Sequence, residues 1–456
     1  MARLAPARKA ALSVFSKRRR RDGHARDLLR NSEAIAALDP RDRALASRLV
    51  LGATAAVGTL DACIDAYVNR PSSLEPRVRD ALELATFEAL YLETPGSALV
   101  SQGVELVRSV SPRAAGMANA VLRKVLERER PRVREARERV ADAGSAVNAE
   151  DLALVAALPL WLVERVLSAR GEAAAREFCL AELEPAPVFV ATNRARHDEA
   201  EACELLEAAG LAPRPTWLAG SFLLDAPAGL ATSGLVDAVD VVVADLAAQE
   251  VAQRAAARAG EHVLEVGQGR GSKSVLLQNE ALLSGGFAQI EAVDAVPFKV
   301  EVATRRMELA GLAEHVQSHA LDARLLAGSD LPSALAGTFD LVFVDAPCSG
   351  TGTMRRHPEI AWSLAESDIT GTGSLSELQL EILSAAAARV ARGGRLVYAT
   401  CSVLPEENEQ VVEAFLEGET GQDFELEHLA EKNPYLQTLP KRAGNDGHFC
   451  AYLKRC

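Results

Sequence analysis

Two cysteines in short loops, together with one glycine-rich turn, are the groups in this 456-residue chain whose types and spacing suit chemistry. Cys348 lies in Asp345-Ala346-Pro347-Cys348-Ser349-Gly350-Thr351-Gly352. Cys401 lies in Thr400-Cys401-Ser402-Val403-Leu404-Pro405-Glu406-Glu407-Asn408. Each follows a short apolar run that reads as a buried strand, Leu341 to Val344 and Leu396 to Tyr398. In an open α/β sheet the groups just past the strand ends line the ligand crevice. Both thiols are therefore expected to face one pocket. A thiolate is a nucleophile, and a pocket that uses one must favour negative charge on sulfur.

The turn Glu265-Val266-Gly267-Gln268-Gly269-Arg270-Gly271 follows a strand and precedes a helix. Glycine there lets backbone approach a ligand closely or adopt positive φ. A dinucleotide fingerprint would read G-x-G-x-x-G; the G-x-G-x-G spacing points instead to an S-adenosylmethionine site. The expected cofactor-binding stretch is Glu265, Gly267, Gln268, Gly269, Arg270, Gly271, Ser272 and Lys273. A cation is disfavoured in a helix's first turn, so Lys273 is either a ligand or substrate group or a solvated lysine. Asp294 ends the next strand, where it is placed to accept hydrogen bonds from ribose hydroxyls or to cap the following helix. Asp322, after the third strand, is placed to meet an adenine amino group or is an ordinary loop aspartate.

The elements that must position these groups are legible in outline. Strands are expected at His262–Val266, Ile290–Asp294, Val316–Ala320, Leu341–Val344 and Arg395–Thr400, with helices between them at Phe298–Ala310 and Leu375–Ala391. Such alternation predicts a largely parallel, doubly wound sheet. Up to about residue 125 only helices are expected; Val78, Ala81, Leu82, Ala85, Ala89 and Leu92 share one apolar helical face. Further helices are expected at Ala98–Arg108 and Ala114–Glu129. The Arg/Glu-rich stretch 127–142, broken by Pro131, reads as a solvated helix or linker, and the domain boundary is placed near 130–150. From Leu158 a helix pair leads into a small α+β segment with strands near Val188–Thr192, Phe222–Leu224 and Val239–Val243 and a helix at Asp198–Ala209. The expected division is 1–140, 150–245 and 246–456.

Bulk composition narrows the class. Aromatics are only 4% of residues, so the cores must be built mainly from Ala, Leu and Val. No apolar run approaches a membrane span, and the basic N-terminus lacks an export pattern. Seven scattered cysteines with no C-x-x-C pair argue against a disulfide framework or a zinc site and fit a reducing cytoplasm. The net charge of −13 disfavours a polyanion partner, yet Lys17-Arg18-Arg19-Arg20-Arg21 is a basic run that suits phosphates or a solvated helix end equally well.

These residues resemble the RsmB/Sun-type RNA 5-cytosine methyltransferases of bacteria. The Asp345–Gly352 stretch, followed by Arg355-Arg356-His357-Pro358-Glu359, is similar to the family's motif IV. Tyr398 to Glu409 is similar to its motif VI, and Asp446-Gly447-His448-Phe449 resembles its closing D-G-F-F. Asp42 to Gly52 and Asn119 to Arg123 resemble the NusB-like helical domain fused to these enzymes, so the resemblance covers essentially the whole chain. It implies an all-α NusB-like domain, a small α+β subdomain and a class I, Rossmann-like methyltransferase sheet. It implies S-adenosylmethionine as cofactor, RNA as partner (small-subunit ribosomal RNA by domain layout), no membrane or metal, and a monomer. Three departures stand out. The family's D-x-C-A-A-P-G-G-K-T is replaced by Glu265 to Ser274, Gly371-Thr372-Gly373 is a small insertion, and His448 replaces a phenylalanine.

The family's chemistry is thiolate addition to carbon 6 of cytosine, methyl transfer to carbon 5, proton loss and elimination. The resemblance assigns attack to Cys401 and product release to Cys348, with Asp345 stabilising the adduct. From the residues alone either cysteine is a candidate nucleophile, since the Pro-Cys context of Cys348 resembles the attacking loop of DNA cytosine methyltransferases. Arg355 and Arg356, with Arg18, Arg19 and Arg20, are the candidate phosphate contacts. The rival readings are a NusB-type RNA-binding assembly factor with a degenerate catalytic half, an NAD-dependent oxidoreductase, and the same chemistry on transfer RNA.

Overall fold

The computed structural model describes residues 4–18, 24–427 and 434–456. The chain forms two compact units: residues 1–185 with 353–366, and residues 186–352 with 367–456.

The first unit is helical. Its central helix, Pro76–Tyr91, carries the expected apolar face, and almost every residue from Val78 onward is buried. Three acids on that helix, Asp80, Glu83 and Glu88, are buried too. A buried carboxylate is costly unless paired and hydrogen-bonded. Arg8 of helix Pro6–Phe15 forks onto Glu88, with Nε 2.9 Å from Oε2, and Arg18 pairs with Glu83. Helix Gly96–Arg108 starts two residues before the expected position. Pro131 does not break the chain's course. Helix Ala115–Lys124 passes through a π-helical turn, Val125–Glu129, into helix Arg130–Ala141. Proline is tolerated in a first helical turn, where its missing N–H is not needed. Helices Ala149–Ala156, Leu160–Arg170 and Glu172–Ala181 complete the run. They pack within this unit.

The second unit opens with a small antiparallel sheet of β1 (Phe189–Thr192), β2 (Pro213–Pro215), β3 (Ser221–Leu224) and β4 (Val241–Val243), in the order β2-β3-β1-β4. Helix Glu199–Ala208 starts from a capping box between Asp198 and Glu201. The large sheet follows: β5 (His262–Val266), β6 (Gln289–Asp294), β7 (Val316–Ala320), β8 (Phe339–Asp345), β9 (Val390–Thr400), β10 (Phe424–Leu426), β11 (Tyr435–Gln437) and β12 (Phe449–Arg455). Its order is β10-β12-β9-β8-β5-β6-β7, with β11 paired to β12. The five central strands are parallel, as the alternation predicts, and apolar side chains such as Leu264, Val342 and Leu396 fill the core. The antiparallel C-terminal strands lie beyond what the periodicity revealed. Among the described residues no single helix is long and apolar enough to cross a membrane.

Candidate active site

Strand register brings the candidate loops to one edge. Val266 of β5 pairs with Val344 of β8, and Val344 and Asp345 pair with Tyr398 and Ala399 of β9. The three strands are parallel, so the loops starting at Gly267, Ala346 and Cys401 leave side by side. β12 runs the other way, with Phe449 opposite Thr400, so Asp446 to His448 arrive at the same edge. The winding reverses between β8 and β5, the switch point at which open α/β sheets bind ligands.

The two thiols meet there. Cys348 Sγ and Cys401 Sγ are 3.3 Å apart, and both residues are partly exposed. The Cys401 backbone N–H points to Cys348 Sγ at 3.3 Å. Gly352 N–H donates to Cys401 O at 2.8 Å, and Gly447 N–H donates to Gly352 O at 2.8 Å. A Cβ on Gly352 would lie 2.1 Å from Gly447 O, so this approach of two backbones demands glycine. The hydrogen bond from Cys348 lowers the Cys401 pKa and the Lys273 cation adds to this, against burial and Asp345. The bond to Cys401, burial and the neighbouring charges hold Cys348 well above the usual thiol value. The two directions are opposite: Cys401 is lowered from the ordinary thiol value and Cys348 is raised above it.

Lys273 is not a solvated lysine. Its Nζ donates to Asp345 Oδ2 at 2.5 Å. Burial lowers its pKa, but Asp345 and Cys401 more than offset this, leaving it above the usual lysine value.

The glycine turn is a shaped cradle. Gly267, Gly269 and Gly271 have φ of +84°, +60° and +77°. A Cβ on Gly267 would sit 2.2 Å from the Asp345 carbonyl oxygen. Asp294 accepts from Gly269 N–H and from Val296 N–H, each at 2.9 Å, which ties the glycine turn to the residue before helix Pro297–Leu309; that helix has no side-chain cap, so the expected capping role is not seen. Glu265 is fully buried, accepts from Ser274 Oγ at 2.6 Å, and is pushed by burial up to about 8. Glu265 Oε1 and Gln268 Oε1 are buried without a hydrogen-bond partner. Two orphaned acceptors beside three left-handed glycines fit a ligand that brings N–H or O–H donors, as the ammonium and ribose of S-adenosylmethionine do. Ser272 Oγ accepts from Arg306 at 2.9 Å, and Arg270 is exposed. Asp322 accepts from Arg324 at 2.6 Å, a bond that holds its carboxyl below the usual range.

The expected phosphate contacts separate. Arg18, partly buried, pairs with Glu83 and lies 3.8 Å over the Phe15 ring. Arg355 is 6% exposed, because the 353–366 segment is tucked into that unit; Arg356 is partly exposed. Arg19 and Arg20 lie outside the described residues. His24, His357 and Glu359 bring ligand-type atoms within 4.8 Å of one another. Burial lowers the pKa of His357, and His24, Arg26 and Arg356 add to this while Glu359 opposes it.

Two groups that hold the cysteine loops were not foreseen as functional. Glu407 was only part of a motif, and Gln379 of helix Leu375–Ala387 was not singled out. A polar residue on the inner face of an otherwise apolar helix, followed downstream by Glu-Glu-Asn, was the available clue.

The chain matches the family described as "16S rRNA methyltransferase RsmB/F" over residues 252–454. It matches the NusB family over 5–127 and an RsmF/B-like ferredoxin-like domain over 158–230. It is 31% identical over 419 residues to the Ribosomal RNA small subunit methyltransferase B of Escherichia coli O6:K15:H31, covering 91% of this chain and 90% of that one. The protein of Escherichia coli strain SE11 with the same name is also 31% identical, with the same coverage. Among solved structures, PH0851 superposes with a TM-score of 0.77 at 22% identity over the full length of both chains. NSun6 from Pyrococcus horikoshii with SFG gives a TM-score of 0.55 at 16% identity, covering 66% of this chain and 99% of that one.

Proposed function

The chain belongs to the RsmB/F family of 16S rRNA methyltransferases, and from that premise we propose that it methylates carbon 5 of a cytosine in small-subunit ribosomal RNA through a covalent adduct on Cys401. The observation that carries this reading is the 3.3 Å spacing of two thiols at the sheet's switch point, beside a cradle that suits S-adenosylmethionine. The cofactor supplies an electrophilic methyl on a sulfonium. Glu265, Gly267, Gln268 and Gly269 form the cradle that would hold it, with Asp294 fixing the turn.

The division of the thiols suits the chemistry. Carbon 5 of cytosine is a poor nucleophile until carbon 6 carries a thiolate, and Cys401 is the sulfur that ionises more readily. Addition of its electron pair to carbon 6 leaves an enamine whose carbon 5 takes the methyl. Loss of the carbon 5 proton then expels the Cys401 thiolate and restores the ring. In this reading Cys348, 3.3 Å from Cys401, assists that release, and the carbon 5 proton passes to a general base or to solvent. In the same reading Asp345, held by Lys273, bonds the base near nitrogen 3. A base inside folded RNA must leave its stack to reach such a pocket, and Arg356, which is partly exposed, is a candidate for a phosphate contact.

The test uses the full chain with unmethylated small-subunit RNA and S-adenosylmethionine, read by bisulfite sequencing. One protected cytosine is expected, abolished in Cys401→Ser. Cys348→Ser is expected to accumulate a covalent RNA–protein species visible on a denaturing gel. Methyl transfer to another atom, or full activity of Cys401→Ser, would overturn the reading.

A further inference from the structure

Between the two cysteine loops lies a carboxylate that the reaction as described does not use. Glu407 is fully buried, yet it has four hydrogen-bond donors. Its Oε1 accepts from Ser349 N–H at 2.7 Å and from Gln379 Nε2 at 3.0 Å. Its Oε2 accepts from Ser349 Oγ and Ser402 Oγ, each at 2.5 Å. Ser349 follows Cys348, and Ser402 follows Cys401. Gln379 Nε2 also donates to Pro347 O at 2.9 Å, so both chain neighbours of Cys348 are held. The brace is anchored to the sheet, because Tyr398 of β9 donates its hydroxyl to Glu407 O at 2.6 Å.

Burying a carboxylate is expensive, and a well-packed apolar residue serves stability as well or better. A fully satisfied buried charge that touches both cysteine loops therefore points to geometry. We infer that Glu407 is a positioning residue: its carboxylate ties the loop of Cys348 to the loop of Cys401 and sets the spacing of the two sulfurs. This rests on the reading of the cysteines given above. The charge has a second effect, since Glu407 opposes ionisation of both thiols while Lys273 favours it at Cys401. Spacing and charge can be separated by substitution.

The experiment measures methyl transfer to small-subunit RNA and, independently of RNA, the pH dependence of iodoacetamide alkylation at each cysteine by peptide mass spectrometry. Glu407→Gln keeps the shape but loses the charge and one acceptor. Its kcat should fall about 10- to 100-fold, the scale of a displacement near 1 Å. KM for RNA should hold, and the alkylation midpoint of Cys401 should move to lower pH. Glu407→Asp keeps the charge on a shorter arm, so kcat should fall while the midpoint stays near that of the wild type. A purely structural role would slow turnover without moving the midpoint in the Gln variant alone. Wild-type kcat within about twofold and an unmoved midpoint in Glu407→Gln would overturn the inference. If that variant does not fold, the double variant Ser349→Ala/Ser402→Ala decides: kcat within about twofold of wild type overturns it, and a larger fall supports it. Should the wild type transfer no methyl to cytosine, the cysteine reading fails, and the alkylation profiles still report whether Glu407 acts on the sulfurs.

Discussion

At the residue scale, the site is governed by side chains whose protonation the fold has displaced. Glu265 is the clearest case. Its usual pKa is near 4.5 and burial raises it to about 8. Between those values the folded protein holds a proton that the unfolded chain has lost, so stability falls as pH rises through that window and levels off above it. The loss is on the order of a few kcal/mol. Glu265→Gln, which cannot ionise, should flatten the profile, so that the fall in Tm between pH 6 and pH 9 is smaller than in the wild type. Thermal melts across that range check it. The sequence made Glu265 visible as part of a cofactor turn, but its protonation depends on burial and on Ser274, neither of which residue spacing encodes. Lys273 is similar. It stood out as misplaced in a first helical turn, and its partner Asp345, 72 residues away, is brought to it only by the adjacency of β5 and β8.

At the element scale, the parallel strands were readable because β5, β8 and the end of β9 are compact apolar runs followed by distinctive loops, with helices between the strands. The C-terminal strands were not. β10 and β11 are three residues each, and β12 is defined by its antiparallel partner β9 rather than by its own pattern. Pro131 misled for a related reason: a proline breaks a helix in the interior and is accepted in a first turn, and sequence alone does not say which applies. The turn after β5 gives the prediction that belongs to this scale. Gly267→Ala places a methyl 2.2 Å from the Asp345 carbonyl oxygen at φ +84°. Strain of this kind costs about 1–3 kcal/mol. The variant should unfold at lower temperature and bind S-adenosylmethionine at least about tenfold more weakly, measured by melting and by titration calorimetry.

At the scale of the whole molecule, the division of the chain differs from a string of beads. The segment 353–366 belongs with the helices of 1–185, although the residues on either side of it belong to the second unit. Within the helical unit Trp362 fixes this segment. Its Nε1 donates to Ala55 O at 2.9 Å and Ala157 O at 3.0 Å, and its ring fills the space where Gly58 has no side chain, 2.1 Å from where a Cβ would be. Trp362→Ala should cost the helical unit about 2–4 kcal/mol and lower its melting transition, followed by circular dichroism. The sequence offered Arg355 and Arg356 as phosphate contacts without showing that their segment packs with the helices, because a motif shows which residues recur together and not which body they pack on. That packing also dictates timing. As the polypeptide emerges from the tunnel, N-terminal domains ordinarily fold first, but here the last piece of the helical unit, ending at residue 366, follows β5 to β8, four of the eight strands of the large sheet.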